Sequence, residues 1–218
     1  MISLRMVGTE VSALGAAALS MPLRFVLDHE RLDPAAPHPP LVLVHGFLGD
    51  PTNFLVLRRY LETRGIRSFT SFWYPPRIDY QRLACRLGET IDAVRAFTGA
   101  AEVDVVGHSL GGLIARYFVE MVPDTPVRRL VTLGAPYFAS PLPDRELAIF
   151  GAADLFIPVP HREYGPYSVS RRAQLVIVPE CGHWGLLYHP AVMRETAGYL
   201  CTPLAALPDP PLALEAAS

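Results

Sequence analysis

The stretch Val103-Asp104-Val105-Val106-Gly107-His108-Ser109-Leu110-Gly111-Gly112 decides how the rest of the chain is read. Its first four residues, three of them valine, form an apolar run of strand length. Ser109 follows between Gly107 and Gly111, and a segment of helical period continues to about Met121. A strand that becomes a helix within so few residues forces the corner residue into a strained backbone. Glycines on either side let strand and helix approach without a Cβ between them, leaving the serine hydroxyl exposed at the sheet edge. Ser109 is therefore a candidate nucleophile, its plainer alternative being a helix N-cap in a tightly packed turn.

On either side of this stretch, strand-length apolar runs alternate with segments of helical period. Leu41–Val44 is a buried-strand pattern ending in His45-Gly46, after which Asp50 caps a helix with Pro51 at its first position, running through Phe54, Leu57 and Leu61. Ser68–Tyr74 reads as the next strand. Leu83, Leu87, Ile91, Val94 and Phe97 share one helical face behind a cap at Asp79. Arg129–Leu133, Leu147–Phe150 and Leu175–Val178 are three more short apolar runs, and His189–Leu200 closes the pattern as a helix. Strand-helix alternation of this kind predicts an α/β fold: one open, mostly parallel sheet flanked by helices, with ligand groups at the C-terminal strand ends.

A serine hydroxyl needs a base to act near neutral pH. Of seven histidines, His183 lies just beyond the strand Leu175–Val178 and is delivered to the same sheet edge as Ser109. His29 and His38 fall in the N-terminal segment, His161 in a long loop and His189 at a helix start, while His108 points away from the serine on so sharp a turn. The base in turn needs a carboxylate to fix its tautomer. Asp154 follows the strand Leu147–Phe150 through Gly151-Ala152-Ala153, whereas Asp144 and Glu146 precede that strand, and Glu163 and Glu180 are weaker rivals. A turn aspartate bonded to its own backbone is the other reading of Asp154. The N–H groups of Leu110 and of Phe47, in His45-Gly46-Phe47-Leu48-Gly49, are the natural pair of oxyanion donors.

Composition removes competing chemistries. All nineteen basic residues are arginine, so a Walker-type lysine, a pyridoxal Schiff base and a serine-lysine dyad are excluded. A net charge of -2 leaves no excess of positive charge for nucleic acid. No charge-free run reaches the roughly 18 residues of a membrane helix, so stable membrane insertion is not expected. Cys85, Cys181 and Cys201 show no metal-like spacing and allow at most one optional bridge.

Taken together, these motifs resemble the α/β-hydrolase fold, in that family's chain order of Ser, Asp, His. More closely, residues 42–54, 104–112, 131–135 and 182–188 are each similar to a motif of the small, lidless bacterial lipases, and the likeness runs from about Leu41 to Leu200. The resemblance implies hydrolysis of a small-molecule or lipid ester through an acyl-enzyme, with no cofactor and no metal. Ser109 would attack, His183 would take and return the proton, Asp154 would orient His183, and Phe47 and Leu110 would hold the oxyanion. An acyltransferase or thioesterase on the same residues is the alternative, and a non-catalytic binding protein a more distant one. The chain departs from the family pattern at Tyr137 after Ala135-Pro136, and at Leu110 where methionine is common.

About a dozen residues separate Leu133 from Leu147, too few for a helical cap domain, so a minimal fold open to solvent is expected. Leu48, His108, Tyr137, Phe138, Trp184 and Tyr188 are candidate substrate-pocket residues, and Leu155–Arg172 a candidate loop wall. The expected organisation is an N-terminal segment and linker over 1–40, the hydrolase domain over 41–202 and a Pro/Ala-rich tail over 203–218. Val11–Ser20 after Arg5 is similar to a weak secretory leader, although Glu10 interrupts it. The balance favours a cytoplasmic chain, with secretion if those residues act as a leader. Oligomeric state is not legible.

Overall fold

The computed structural model describes residues 4–25, 30–76, 78–136, 145–159 and 174–202. Six parallel strands form one sheet: β1 (Leu41–Val44), β2 (Phe69–Phe72), β3 (Val103–His108), β4 (Val127–Leu133), β5 (Glu146–Gly151) and β6 (Gln174–Val178), in the order β2-β1-β3-β4-β5-β6. The helices are α1 (Leu4–Ser20), α2 (Leu55–Glu62), α3 (Tyr80–Thr98), α4 (Leu110–Met121) and α5 (Pro190–Cys201). The chain steps outward from β1 to β2 and then crosses back to place β3 on the other side of β1. The C-terminal ends of β1 and β3 therefore flank the point at which the winding reverses, where sheets of this kind bind ligands.

Alternation along the strands divides the core into two layers. Leu41, Leu43, Leu133, Leu147 and Ile149 face α2 and α5, burying Leu57, Leu61, Val192 and Leu200. Val42, Val44, Val103 and Val105 face the other way, onto Leu83, Leu87 and Ile91 of α3 and Ile114 of α4. Such central strands are apolar on both faces because a parallel sheet is covered on both.

Local signals set the element ends. The Asp50 side chain accepts from Thr52 N–H and that of Asn53 accepts from Asp50 N–H, a capping box over a 3₁₀ turn at Pro51–Phe54 that leads into α2. Asp79 caps α3, and Gly99 ends it in the left-handed region. The β2 strand is shorter than the apolar run suggests, because Tyr74 leaves the ladder to stack on His45, at 4.3 Å between ring centroids, and donates its hydroxyl to His45 O. The β4 strand starts two residues earlier than its apolar run, where Arg128 pairs with the Asp104 carboxylate of β3.

A buried ion pair fixes the space between α4 and the sheet. Arg116 meets Glu146 at 2.7 Å, Glu146 also accepts from Thr132 Oγ1, and Arg116 reaches Pro136 O. Glu146 is thus committed to the interior at the start of β5. The N-terminal α1 lies against the body through Ala13 and Ala17, which are buried. Asn53 donates to Ala17 O, and the Ser20 and Thr52 hydroxyls are hydrogen-bonded. No described helix is long and apolar enough to cross a membrane.

Candidate active site

Ser109 occupies the corner between β3 and α4 at φ 51°, ψ -122°, a conformation that costs a non-glycine residue of the order of 1–3 kcal/mol. Its surroundings explain why the strain persists. A Cβ on Gly107 would stand 2.6 Å from Gly112 Cα, and one on Gly111 would overlap the carbonyl oxygens of Val44 and His45. A Cβ on Gly112 would meet Ala135 Cβ at 2.6 Å. Three glycines thus let α4 start hard against β1, β3 and the end of β4. Ser109 N–H donates to Leu133 O at 2.8 Å, which ties the corner to β4.

The β1 end lies against the same corner. A Cβ on Gly46 would stand 3.1 Å from Ser109 Cβ, so the backbone of Gly46-Phe47 runs alongside the serine. Among the described residues, no acceptor is bonded to the N–H of Phe47 or of Leu110. His45 is fixed beneath by donating Nδ1–H to Gly46 O and by accepting Tyr74 N–H at Nε2, and burial lowers its pKa.

Asp154 and His183 come together at the β5 and β6 ends. His183 Nδ1 donates to Asp154 Oδ2 at 2.7 Å, and the carboxylate side chain is fully shielded from solvent. Oδ1 accepts from Phe156 N–H and Ile157 N–H, each at 2.8 Å. Asp154 thus realises both sequence readings at once, a turn aspartate through one oxygen and a histidine partner through the other. Gly134, at φ 55°, lies under this pair; a Cβ there would be 3.2 Å from both Asp154 Oδ2 and His183 Nδ1.

His108 reaches from the corner to the loop that carries His183. It is buried, its Nε2 donates to His183 O at 3.1 Å, and its ring lies 4.8 Å from that of His183. Burial, reinforced by the neighbouring His183, lowers its pKa to about 3, so it is a neutral spacer between the Ser109 corner and the loop that carries His183.

Around these groups, Phe47 and Leu48 are exposed, Leu48 at φ 57°, while Trp184 and Tyr188 are half-buried against the core. Tyr137 and Phe138 lie outside the described residues, as does the loop wall beyond Val159. Two residues near His183 escaped the sequence reading. Phe156 is exposed, with its ring 5.4 Å from the His183 ring; the apolar pair directly after Asp154 was the signal for it. Glu10 accepts from Trp184 N–H at 3.0 Å and Gly185 N–H at 2.7 Å, and a lone acidic residue in an apolar N-terminal run gave little hint of that.

The fold and these strand-end groups define an α/β hydrolase with a serine at the elbow. A model of the alpha/beta hydrolase family matches residues 41–169, and the chain belongs to that family. Triacylglycerol lipases of Pseudarthrobacter phenanthrenivorans and Burkholderia plantarii are each 28% identical over 131 residues, half of this chain. The match spans only 37% and 33% of those two proteins. Among solved structures, a CIB-like hydrolase of Thermoplasma acidophilum superposes with a TM-score of 0.63 at 19% identity, covering 78% of this chain and 89% of that one. A membrane phospholipase A described as a bacterial virulence factor gives 0.62 at 16% identity, covering 90% and 95%.

Proposed function

We propose that the chain is a serine carboxylic-ester hydrolase, an esterase or lipase that works through an acyl-enzyme on Ser109. The observation that carries this reading is the buried Asp154–His183 pair at the sheet edge where the strained Ser109 emerges. In the proposed cycle, Ser109 Oγ attacks the ester carbonyl while His183 Nε2 takes the hydroxyl proton. Asp154 holds the ring by Nδ1 and offsets the charge of the imidazolium. The oxyanion rests on the N–H groups of Phe47 and Leu110, each contributing on the order of 10²- to 10³-fold in rate. His183 returns its proton to the departing alcohol. Water then enters by the same route in reverse, regenerating the hydroxyl and releasing the acid. The lipase-named relatives support an acyl ester as substrate, and the exposed apolar residues Phe47, Leu48 and Phe156 beside the site favour an apolar acyl group.

The test is a chain-length series of p-nitrophenyl esters with wild type and Ser109→Ala, together with fluorophosphonate labelling followed by peptide mapping. Turnover that falls by at least about 10⁴-fold in the variant, with the label on Ser109, is the expected result. Retention of most activity by Ser109→Ala, or a label elsewhere, would overturn the assignment.

A further inference from the structure

The loop that carries His183 is held from a part of the molecule that the hydrolytic reading does not use. The peptide unit joining His183 to Trp184 has its two polar ends pinned in opposite directions. Its carbonyl oxygen accepts from His108 Nε2, and its N–H donates to Glu10 Oε2. The second Glu10 oxygen takes the N–H of Gly185 at 2.7 Å. A carboxylate accepting two backbone N–H groups forms charge-assisted bonds, about twice as strong as neutral ones.

The local sequence is shaped to receive that carboxylate. The nearest atoms to a Cβ built on Gly182 all belong to Glu10, with Oε1 at 2.7 Å, and a Cβ on Gly185 would lie 2.6 Å from the same oxygen. Neither glycine has a positive φ, so their backbone does not call for glycine; space for the carboxylate does. On the helix, Glu10 shares one face of α1 with Ala13, Ala17 and Ser20, the residues seated on the body.

We propose that Glu10 is a positioning residue for His183, and that α1 is thereby a working part of the active site. This rests on the hydrolase reading above. With the peptide after it immobilised, His183 loses freedom to swing out of line with Ser109, and displacements of about 1 Å in such groups cost up to about 10²-fold in rate. Glu10 touches neither substrate nor nucleophile.

The experiment compares full-length wild type, Glu10→Ala, Gly182→Ala and the double variant on p-nitrophenyl butyrate, with fluorophosphonate titration of active sites and thermal unfolding. Glu10→Ala is expected to lose about 10- to 100-fold in kcat per titrated site, with KM within a few-fold of wild type. Added formate, a carboxylate small enough for the vacated seat, restores part of the rate. The nearest atoms that a methyl group at position 182 would meet are Glu10 Cδ, Cγ and Oε1, so Gly182→Ala displaces that side chain and reproduces the Glu10→Ala loss, and the double variant is no worse than either alone. Gly182→Ala keeps the Glu10 residue itself, so its kcat per titrated site tests the same contact even if Glu10→Ala folds poorly, and a Gly182→Ala kcat within twofold of wild type would then overturn the proposal. A Glu10→Ala kcat within twofold of wild type overturns the proposal, as do losses that multiply in the double variant, or a decline seen only in the number of titrated sites. Wild type inert to every ester and to fluorophosphonate would instead overturn the hydrolase reading, and this assignment with it.

Discussion

The Ser109 corner, proposed to carry the nucleophile, and the loop of His183, proposed to carry the base and called the base loop below, stand at the same edge of the sheet, yet they are built on opposite principles. The corner is mostly local: Gly107, Ser109, Gly111 and Gly112 lie within six residues, and steric contact with the ends of β1 and β4 leaves the serine one path to follow. The base loop, Cys181–Gly185, is held by partners that come from far away in sequence. Asp154 is 29 residues distant, His108 is 75, and Glu10 is 174 from Trp184. A site can therefore have one half written as a motif and the other assembled only when the chain is folded.

The sharpest test of this contrast lies at the base loop. Asp154→Asn keeps an oxygen for the N–H groups of Phe156 and Ile157 but turns an amide N–H toward His183 Nδ1, which imposes the wrong tautomer. We expect kcat to fall by about 10⁴-fold with the unfolding temperature moved by only a few degrees. A loss of under tenfold in ester turnover would remove Asp154 from the reaction. The corner should fail in the reverse manner. Gly111→Ala drives a methyl group into the Val44 and His45 carbonyls, backbone with nowhere to go, and should lower stability by about 3 kcal/mol or more. A denaturant midpoint like that of wild type would show that the corner has slack the contacts do not suggest.

His108 joins the two regions, and its effect should appear in acid. Its pKa in the folded chain, about 3, is below the ordinary 6.5 because burial disfavours the charged ring. Between those values the unfolded chain binds a proton that the folded chain refuses, so stability present above about pH 6.5 is lost as the pH falls toward 3. His108→Gln, whose amide can still reach His183 O, should make stability less steeply dependent on pH across that window. Unfolding free energies from urea titrations at pH 4, 5 and 7 that fall equally in wild type and His108→Gln would contradict the assignment.

The smallest effect concerns Cys181, buried in the base loop. Burial first, then the nearby Glu10 and Asp154, pushes its thiol up to about 12. At pH 8 a thiol reagent should modify the exposed Cys85 and Cys201 and reach Cys181 only on unfolding. Fast labelling of Cys181 in the native protein would mean that the loop opens.

The sequence was most legible where structure is decided at short range. The corner glycines, the caps at Asp50 and Asp79 and the closing helix behind Pro190 are all dictated within a few residues, and each stands where its pattern put it. Strand position along a parallel sheet pointed to Asp154 and His183 ahead of their rivals, because residues just past the C-terminal strand ends are the ones that can meet there. The bond between His183 and Asp154 satisfies that choice in geometry, while its part in turnover belongs to the proposals above. Long-range docking left no local mark. Nothing in the periodicity of residues 4–20 says that Glu10 faces Gly182 and Gly185. The ring of Tyr74 belongs to His45 through a contact 29 residues away, and so the β2 strand ended earlier than its apolar run.

The contact between α1 and the base loop also sets an order of events. A ribosome releases Glu10 long before Trp184 exists, and closing so wide a loop is among the slower and entropically dearer steps in folding. The α1 helix, made well before its partner loop, is then among the last elements to find its place. A refolding chain should regain its far-ultraviolet signal and its buried sheet before its turnover, with the lag between them timing the arrival of Glu10 at its seat.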